Sequence, residues 1–171
     1  MVSIRKATSK DITALALVGK KAFVIPHKDA IPNEIMTNYL SHSFSEKNLL
    51  EEITNPNNQF NLIFVNDNLA GFSKVIFNQE NKNIKETNVT KMERLYLLEE
   101  FYGLGLGNKL FQHNLNLTKT NLQKGIWLYV WIKNFRALEF YKKAGFKKIA
   151  LYDFPISETE TRPNDVLYLE F

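Results

Sequence analysis

Residues 95–107 read LYLLEEFYGLGLG, an apolar strand that leads into a loop with a glycine at every second position. Gly103, Gly105 and Gly107 remove side chains where a ligand would approach. The apolar positions in residues 108–122 predict that a helix follows, and the N-terminus of a helix carries a partial positive charge. Main-chain amides at such a junction bind anions. We therefore expect this strand, loop and helix to hold a pyrophosphate.

Two other phosphate-binding motifs do not match this loop. A dinucleotide fingerprint requires glycine at its first, third and sixth positions, but the sixth position counted from Gly103 is Asn108. The phosphate loop of nucleotidases requires Gly-Lys-Ser/Thr, whereas the chain continues Gly107-Asn108-Lys109-Leu110. Taken alone, the glycines also fit a tight turn chosen for close packing of a helix on a sheet, so that alternative stays open.

Hydrophobic patterning around the loop predicts the order strand, helices, three strands, helix, strand, helix and two strands. A hairpin is clearest, since residues 60–65 and 70–77 are strand-like and residues 66–68, Asn-Asp-Asn, tolerate positive φ. Asn134 is expected to cap the last helix and Gly145 to close it in the left-handed conformation. This order predicts a mixed α/β sandwich and not a doubly wound sheet.

The N-terminal part of the chain is less regular. Residues 3–8 alternate as a first strand, and Asp11 is expected to cap the helix after it. Pro26, Pro32 and Pro56 are expected to break residues 23–58, in which residues 35–40 and 45–53 are predicted as short helices.

Length, composition and charge exclude several classes of protein. The 171 residues fit one domain, residues 1–171, and the lack of cysteine excludes disulfides, thiolate zinc sites and a cysteine nucleophile. His27, His42 and His113 lack ligand spacing, so no metal is expected. Neither a signal peptide nor an apolar run of about 18 residues is seen, and we expect a cytoplasmic protein without membrane contact. A net charge of +4 with scattered basic residues favours a solvated surface over nucleic-acid binding, and it also suits a polyanionic cofactor.

The loop and the strand before it resemble the cofactor motif of the GNAT superfamily of N-acetyltransferases. In that family a strand ends in a bulge, and Gln/Arg-x-x-Gly-x-Gly/Ala opens the next helix. Residues 127–146, with Asn134 and Tyr141 among them, resemble the following strand and helix of the family at the right separation. The likeness covers most of the chain and is closest to polyamine and small-amine acetyltransferases.

This resemblance implies an α/β fold with a mixed, mostly antiparallel sheet, helices on both faces and a V-shaped split between two central strands. It also implies acetyl-CoA as co-substrate, with its pantetheine arm paired to the strand backbone as an extra strand would be. The amides of the glycine loop would hold the pyrophosphate. The cofactor-binding residues implied are Leu95, Leu97, Tyr102, Gly103, Leu104, Gly105, Leu106, Gly107, Asn108, Asn134 and Ala137.

Two side chains are candidates for proton transfer. The resemblance implies Tyr141 as general acid for the leaving thiolate, although its register with Ala137 and Ala144 also fits a core aromatic. Glu93 lies on the same strand face as Lys91, because side chains alternate, and it is placed to accept the amine proton directly or through water. The alternative for Glu93 is an ordinary strand carboxylate paired with a lysine. Without cysteine, direct attack of the amine on the thioester is the simplest mechanism.

Two positions depart from the family pattern. Tyr102 stands where Gln or Arg is usual, which removes a side-chain contact to phosphate but leaves the backbone contacts. Lys91 occupies a strand position where many members carry a carboxylate base. These departures leave open a catalytically silent, CoA-binding sensor.

The acceptor is expected to be a polyamine or another small amine, with a protein N-terminus or lysine as the alternative. Acceptor choice in this fold lies in the early helices and a late loop, here residues 23–58 and 154–164. Candidate residues for a pocket wall are Phe23, His27, Tyr39 and Phe44. The oligomeric state stays open, a homodimer included.

Overall fold

The computed structural model describes residues 1–171 and contains seven strands and five α-helices. The strands are β1 (Val2–Lys6), β2 (Asn58–Val65), β3 (Asn68–Ile76), β4 (Thr90–Leu97), β5 (Gly125–Trp131), β6 (Lys147–Pro155) and β7 (Thr161–Glu170). The helices are α1 (Ile12–His27), α2 (Asn33–Ser43), α3 (Glu46–Thr54), α4 (Leu106–Thr120) and α5 (Phe135–Lys143). Strands and helices follow one another in the order predicted from the sequence.

The strands form one sheet in the order β1-β2-β3-β4-β5-β7-β6. Strand β1 pairs antiparallel with β2, and β7 pairs antiparallel with both β5 and β6, whereas β4 and β5 are parallel. The parallel register joins Thr90 to Ile126 and Lys91 to Trp127, and it does not continue past Lys91. The predicted mixed, mostly antiparallel α/β fold with a split between two central strands is confirmed.

The chain divides into two compact units. The first unit comprises Met1–Val75 and Arg94–Asn114, and the second comprises Ile76–Glu93 and Leu115–Phe171. The expectation that residues 1–171 form a single domain stays a prediction.

The first unit has an apolar core between the β2–β3 hairpin and the start of α4. Ile63, Ala70, Leu106 and Leu110 are buried there, and the partly buried side chains packed against them are Val2, Ile4, Val65, Leu95, Leu97 and Phe101. The end of β4 and the start of α4 are therefore both anchored on the hairpin. This packing holds the two ends of the glycine loop, because apolar burial is the main stabilising term in folding.

A buried polar network joins α4 to the same hairpin. The Asn114 side-chain oxygen accepts hydrogen bonds from the Asn61 amide at 3.2 Å and from the Ser73 hydroxyl at 2.9 Å. All three side chains are fully buried. Because a buried polar group is costly unless it is hydrogen-bonded, these bonds fix the position of α4 on β2 and β3.

The predicted turn of the β2–β3 hairpin is confirmed. A glycine in β3 also determines how closely β4 approaches β3. Asn66 and Asp67 have φ values of 47° and 65°, which a two-residue turn of the primed type requires. A Cβ on Gly71 would lie 2.1 Å from the Tyr96 carbonyl oxygen. Only glycine allows β3 to pass this close to the end of β4.

Two predictions about α1 are wrong in detail. Asp11 precedes the helix but makes no capping bond to it; its carboxylate accepts hydrogen bonds from Arg5 at 2.7 and 2.9 Å and from the Thr8 amide at 2.8 Å. Thr8 and Asp11 instead form a capping box around the preceding 3₁₀ turn, Ser9–Asp11. Pro26 does not break the helix, since it lies inside the last turn of α1.

The second unit is built around β5, which pairs with β7 along its whole length. Val89, Trp127 and Val166 form its buried core, and the Trp127 indole N–H donates to the Gln79 carbonyl at 2.7 Å. The predicted ends of α5 are confirmed: the Asn134 side chain accepts from the Ala137 amide at 3.2 Å, and Gly145 has a φ of 95°.

Candidate active site

The glycine loop of the first unit follows β4 and a 3₁₀ turn, Glu99–Phe101. Gly103 and Gly105 have φ values of 81° and 70°, a backbone conformation that disfavours any side chain. A Cβ on either glycine would meet nothing within 4 Å, and a Cβ on Gly107 would lie 3.6 Å from Leu97, an ordinary contact. Close packing within the protein therefore does not explain Gly103 and Gly105, whereas their left-handed conformation does, and the space beside them is open to a ligand.

The loop presents a row of unused main-chain amides. The Tyr102 amide donates to the Glu99 carbonyl at 3.0 Å, and the Lys109 amide begins the hydrogen bonding of α4 by donating to Gly105 at 3.2 Å. None of the amides of residues 103–108 donates to a backbone carbonyl. Alternating left-handed residues before a helix make a concave nest of N–H groups that suits a phosphate. The residues present thus fit a diphosphate.

Leu95 and Leu97 lie at the end of β4, beyond the two residues that pair with β5. Their side chains pack into the core of the first unit beside Leu106 and Leu110. The core contact orients the strand, and the predicted contact of these two residues with a pantetheine arm concerns only their backbone groups.

Asn134, Ala137 and Tyr141 lie together on α5 of the second unit. Asn134 uses its side-chain oxygen to cap the helix at Ala137. Tyr141 is 8% exposed and packs edge-to-face against Phe140 and Phe146, with ring centroids 5.2 and 5.3 Å away. Burial raises the pKa of the Tyr141 phenol, which therefore stays protonated at neutral pH.

Glu93 and Lys91 form an ion pair on the second unit's part of β4. The Lys91 ammonium lies 3.1 Å from the Glu93 carboxylate, 5.5 Å from the Trp127 ring centroid and 5.2 Å from that of Tyr129. The register explains the contacts, since Lys91 is paired directly with Trp127, and Glu93 and Tyr129 follow two residues later on the same face. Both charged side chains are mostly covered, at 16% and 26% exposure.

The family model for the acetyltransferase (GNAT) family matches residues 29–146, which is more than half of the chain. The chain belongs to this family. It is accordingly an N-acetyltransferase of the GNAT type that uses acetyl-CoA as co-substrate, as predicted. The nest of amides described above is consistent with that co-substrate, and the roles assigned to individual residues stay predictions.

Other GNAT proteins resemble this one along nearly its whole length. An uncharacterised N-acetyltransferase from the pepI 3′ region of Lactobacillus delbrueckii subsp. lactis is 26% identical over 92% of this chain and 91% of that protein. The crystal structure of PaiA N-acetyltransferase from Thermoplasma acidophilum, in complex with coenzyme A, superposes with a TM-score of 0.80 at 22% identity, over 100% of this chain and 99% of that one. The ribosomal-protein-S18-alanine N-acetyltransferase of Escherichia coli superposes with a TM-score of 0.71 at 17% identity, over 99% and 94%.

The aromatic residues expected to line an acceptor pocket in this GNAT protein contact one another in the first unit. Phe23 stacks on Tyr39 at 4.7 Å and meets His27 edge-on at 4.3 Å. Phe44, at 1% exposure, is core and fills the space over Gly19, where a Cβ would lie 2.4 Å from its ring. His27 and Tyr39 are the members of this group that are left partly exposed.

A charged cluster in the first unit was not predicted. Glu52 of α3 accepts two hydrogen bonds from Arg94 of β4, at 2.7 and 3.1 Å, and lies 3.2 Å from the Lys74 ammonium. Arg94 also lies over the Phe44 ring at 5.1 Å. No spacing rule connects residues 52, 74 and 94, because three separate elements bring them together.

No group of three or more histidine, aspartate and glutamate side chains is arranged to hold a metal ion. None of the helices has the length and apolar character needed to cross a bilayer.

Proposed function

We propose that this enzyme acetylates the primary amine of a small molecule, such as a polyamine, by direct attack on the thioester of acetyl-CoA. The observation that carries the proposal is the environment of Glu93. Its carboxylate lies 3.1 Å from a primary ammonium, that of Lys91, and this ammonium also lies over the Trp127 and Tyr129 rings. Rings and a carboxylate are the groups that recognise an alkylammonium.

We assign the diphosphate of acetyl-CoA to the amides of residues 103–108. Six free donors at a helix N-terminus supply charge-assisted hydrogen bonds without a cationic side chain, which offsets the lack of Gln or Arg at Tyr102. The backbone of Leu95 and Leu97 is assigned to the pantetheine arm, and Asn134 and Ala137 at the start of α5 to the same co-substrate.

Glu93 is assigned the amine proton. An alkylammonium with a pKa of about 10.4 must be deprotonated before it attacks, at a cost of roughly 4–5 kcal/mol near pH 7. In the reaction Glu93 takes one proton from the ammonium, the neutral amine attacks, the N–C bond forms and the C–S bond breaks. The second proton lost by the amine nitrogen passes through solvent to the departing thiolate, so that the products are the amide and the CoA thiol.

Tyr141 is assigned to the leaving thiolate. The CoA thiol has a pKa of about 8.5, whereas burial raises the pKa of the Tyr141 phenol above its ordinary value. Full transfer of the phenol proton to the CoA thiolate is therefore unfavourable. A neutral phenol is still a strong hydrogen-bond donor. Tyr141 therefore contributes by donating a hydrogen bond to the sulfur as charge develops there.

A panel of acceptors with acetyl-CoA, read out as free thiol release, tests the proposal. Turnover with spermidine or a simple alkylamine and none with peptides is the expected result. Turnover with peptides alone would show that a protein N-terminus or lysine is the acceptor, a class represented among the fold neighbours by the S18-alanine acetyltransferase. Tight CoA binding with no turnover on any amine would identify a sensor instead.

A further inference from the structure

Lys91 occupies an ammonium site made by other residues of the second unit. Its Nζ lies 5.5 and 5.2 Å from the centroids of the Trp127 and Tyr129 rings and 3.1 Å from a Glu93 oxygen. By comparison, Lys119 lies over one ring, Phe171, at 5.0 Å.

The rings of this site are held by other parts of the unit, not by Lys91. Tyr129 stacks on Tyr152 with a centroid distance of 4.3 Å and an interplanar angle of 12°, and Phe154 meets both rings edge-on at 6.3 Å. The Trp127 indole is fixed by its hydrogen bond to the Gln79 carbonyl. The positions of the two rings therefore do not depend on Lys91, and the site should keep its shape when the lysine is removed.

The lysine itself is tethered only by a flexible four-carbon stem. Its charge contacts are one carboxylate and two rings, each an interaction of modest strength at a partly exposed position. A ligand with the same ammonium group can therefore compete for the site.

We propose that this site is the binding place for the alkylammonium of the acceptor, and that Lys91 fills it in the free enzyme and leaves it when the acceptor binds. The inference rests on the proposed function and adds to it a defined binding place for a primary alkylammonium and a built-in competitor. When Lys91 leaves, the acceptor's ammonium takes its place beside the Glu93 carboxylate, which accepts the acceptor's proton.

Binding of an alkylammonium to this site can be followed through the indole N–H signals of the two tryptophans in the chain. Titration of ¹⁵N-labelled protein with n-butylammonium chloride should shift the indole N–H signal of Trp127 saturably and leave that of Trp131 much less affected. In Lys91→Ala the apparent affinity should rise about tenfold, because the internal competitor is gone. The uncharged isostere n-butanol should cause no saturable shift.

Two variants complete the test. Lys91→Ala combined with Glu93→Gln should lose the tight binding, while Lys148→Ala, which breaks a lysine–carboxylate pair with Asp165 at 2.6 Å, should match the wild type. Equal affinity of wild type and Lys91→Ala would overturn the inference. If Lys91→Ala does not fold, absence of a saturable Trp127 shift in the wild type would overturn it equally.

Turnover separates this inference from the proposed function. With an amine substrate, Lys91→Ala should lower the KM for the amine and leave the KM for acetyl-CoA unchanged. If the wild type acetylates small amines and the amine KM does not move, the self-occupied site is wrong and the function stands. If neither protein acetylates any small amine, the proposed function itself is wrong.

Discussion

The Asn114 side chain on α4 accepts a hydrogen bond from Ser73 on β3 at 2.9 Å, inside a fully buried network that also includes Asn61. Through this contact the helix that begins at the glycine loop is fixed to the hairpin. Asn114→Leu should destabilise the protein by about 1–3 kcal/mol, because it leaves two buried donors without an acceptor. Urea unfolding measures the change, and Asn121→Leu on an exposed turn is the control. A loss no larger than that of the control would contradict this role.

Gly105→Ala should weaken CoA binding by at least about tenfold, since a Cβ would project into the space left for the diphosphate and a φ of 70° strains alanine by about 1–2 kcal/mol. Calorimetric titration with CoA provides the affinity. Gly145→Ala carries the same backbone strain at a φ of 95°, in the C-terminal cap of α5, and should lose stability but not CoA affinity. If both variants bind CoA as the wild type does, the loop is not the diphosphate site.

Tyr141→Phe should lower kcat by about 10²-fold with little change in the KM for acetyl-CoA, because only the hydrogen bond to the leaving sulfur is lost. Steady-state kinetics measures both constants. Tyr168→Phe is a suitable control, since the Tyr168 hydroxyl is buried without a hydrogen-bond partner and its removal should leave stability unchanged or slightly improved. An undiminished kcat in Tyr141→Phe would assign that residue to the core alone.

Glu52→Gln should destabilise the protein by about 3–5 kcal/mol, because it removes the carboxylate charge shared by the buried Arg94 guanidinium and the buried Lys74 ammonium. Thermal or denaturant unfolding tests this. Glu51→Gln, at an exposed neighbouring position of α3, should change stability by less than about 0.5 kcal/mol. Similar behaviour of the two variants would show that the cluster around Glu52 is not important for stability.

Asp11 should contribute stability that depends on pH. The hydrogen bonds from Arg5 lower the pKa of Asp11 from 3.8 to about 2. A carboxylate whose pKa is lower in the folded state stabilises the protein above its unfolded pKa, and the contribution is lost as the pH falls through the folded value. Asp11→Asn should therefore cost about 0.5–1 kcal/mol at pH 7, and the difference from wild type should shrink between pH 4 and pH 2. A difference that is constant over this range would show that Asp11 acts without its charge.

The parts of the fold that follow from local patterns were predictable. The turn at Asn66 and Asp67, the Asn134 cap and the Gly145 terminus each depend on a few neighbouring residues, and the structure has all three. Asp11 was misassigned because a cap and an ion pair compete for one carboxylate, and Arg5 lies on a separate strand.

In the candidate site, too, local patterns were predictable from the sequence and contacts between distant residues were not. The sequence indicated the glycine loop, and it offered a lysine pair as one of two interpretations of Glu93. It did not reveal that Trp127 and Tyr129 face the same ammonium, because that contact requires the parallel register of β4 and β5.

By itself, the sequence determined the order of strands and helices and the loop of alternating glycines, since the local spacing of residue types predicts both. Its motifs also resembled those of a known family. Tertiary structure alone decided which distant side chains meet: Lys91 with two rings of the next strand, and Glu52 with Lys74 and Arg94. The reason is physical. Local backbone preferences act over a few residues, whereas the partners of a buried charge are chosen by strand register and packing across long separations in the chain.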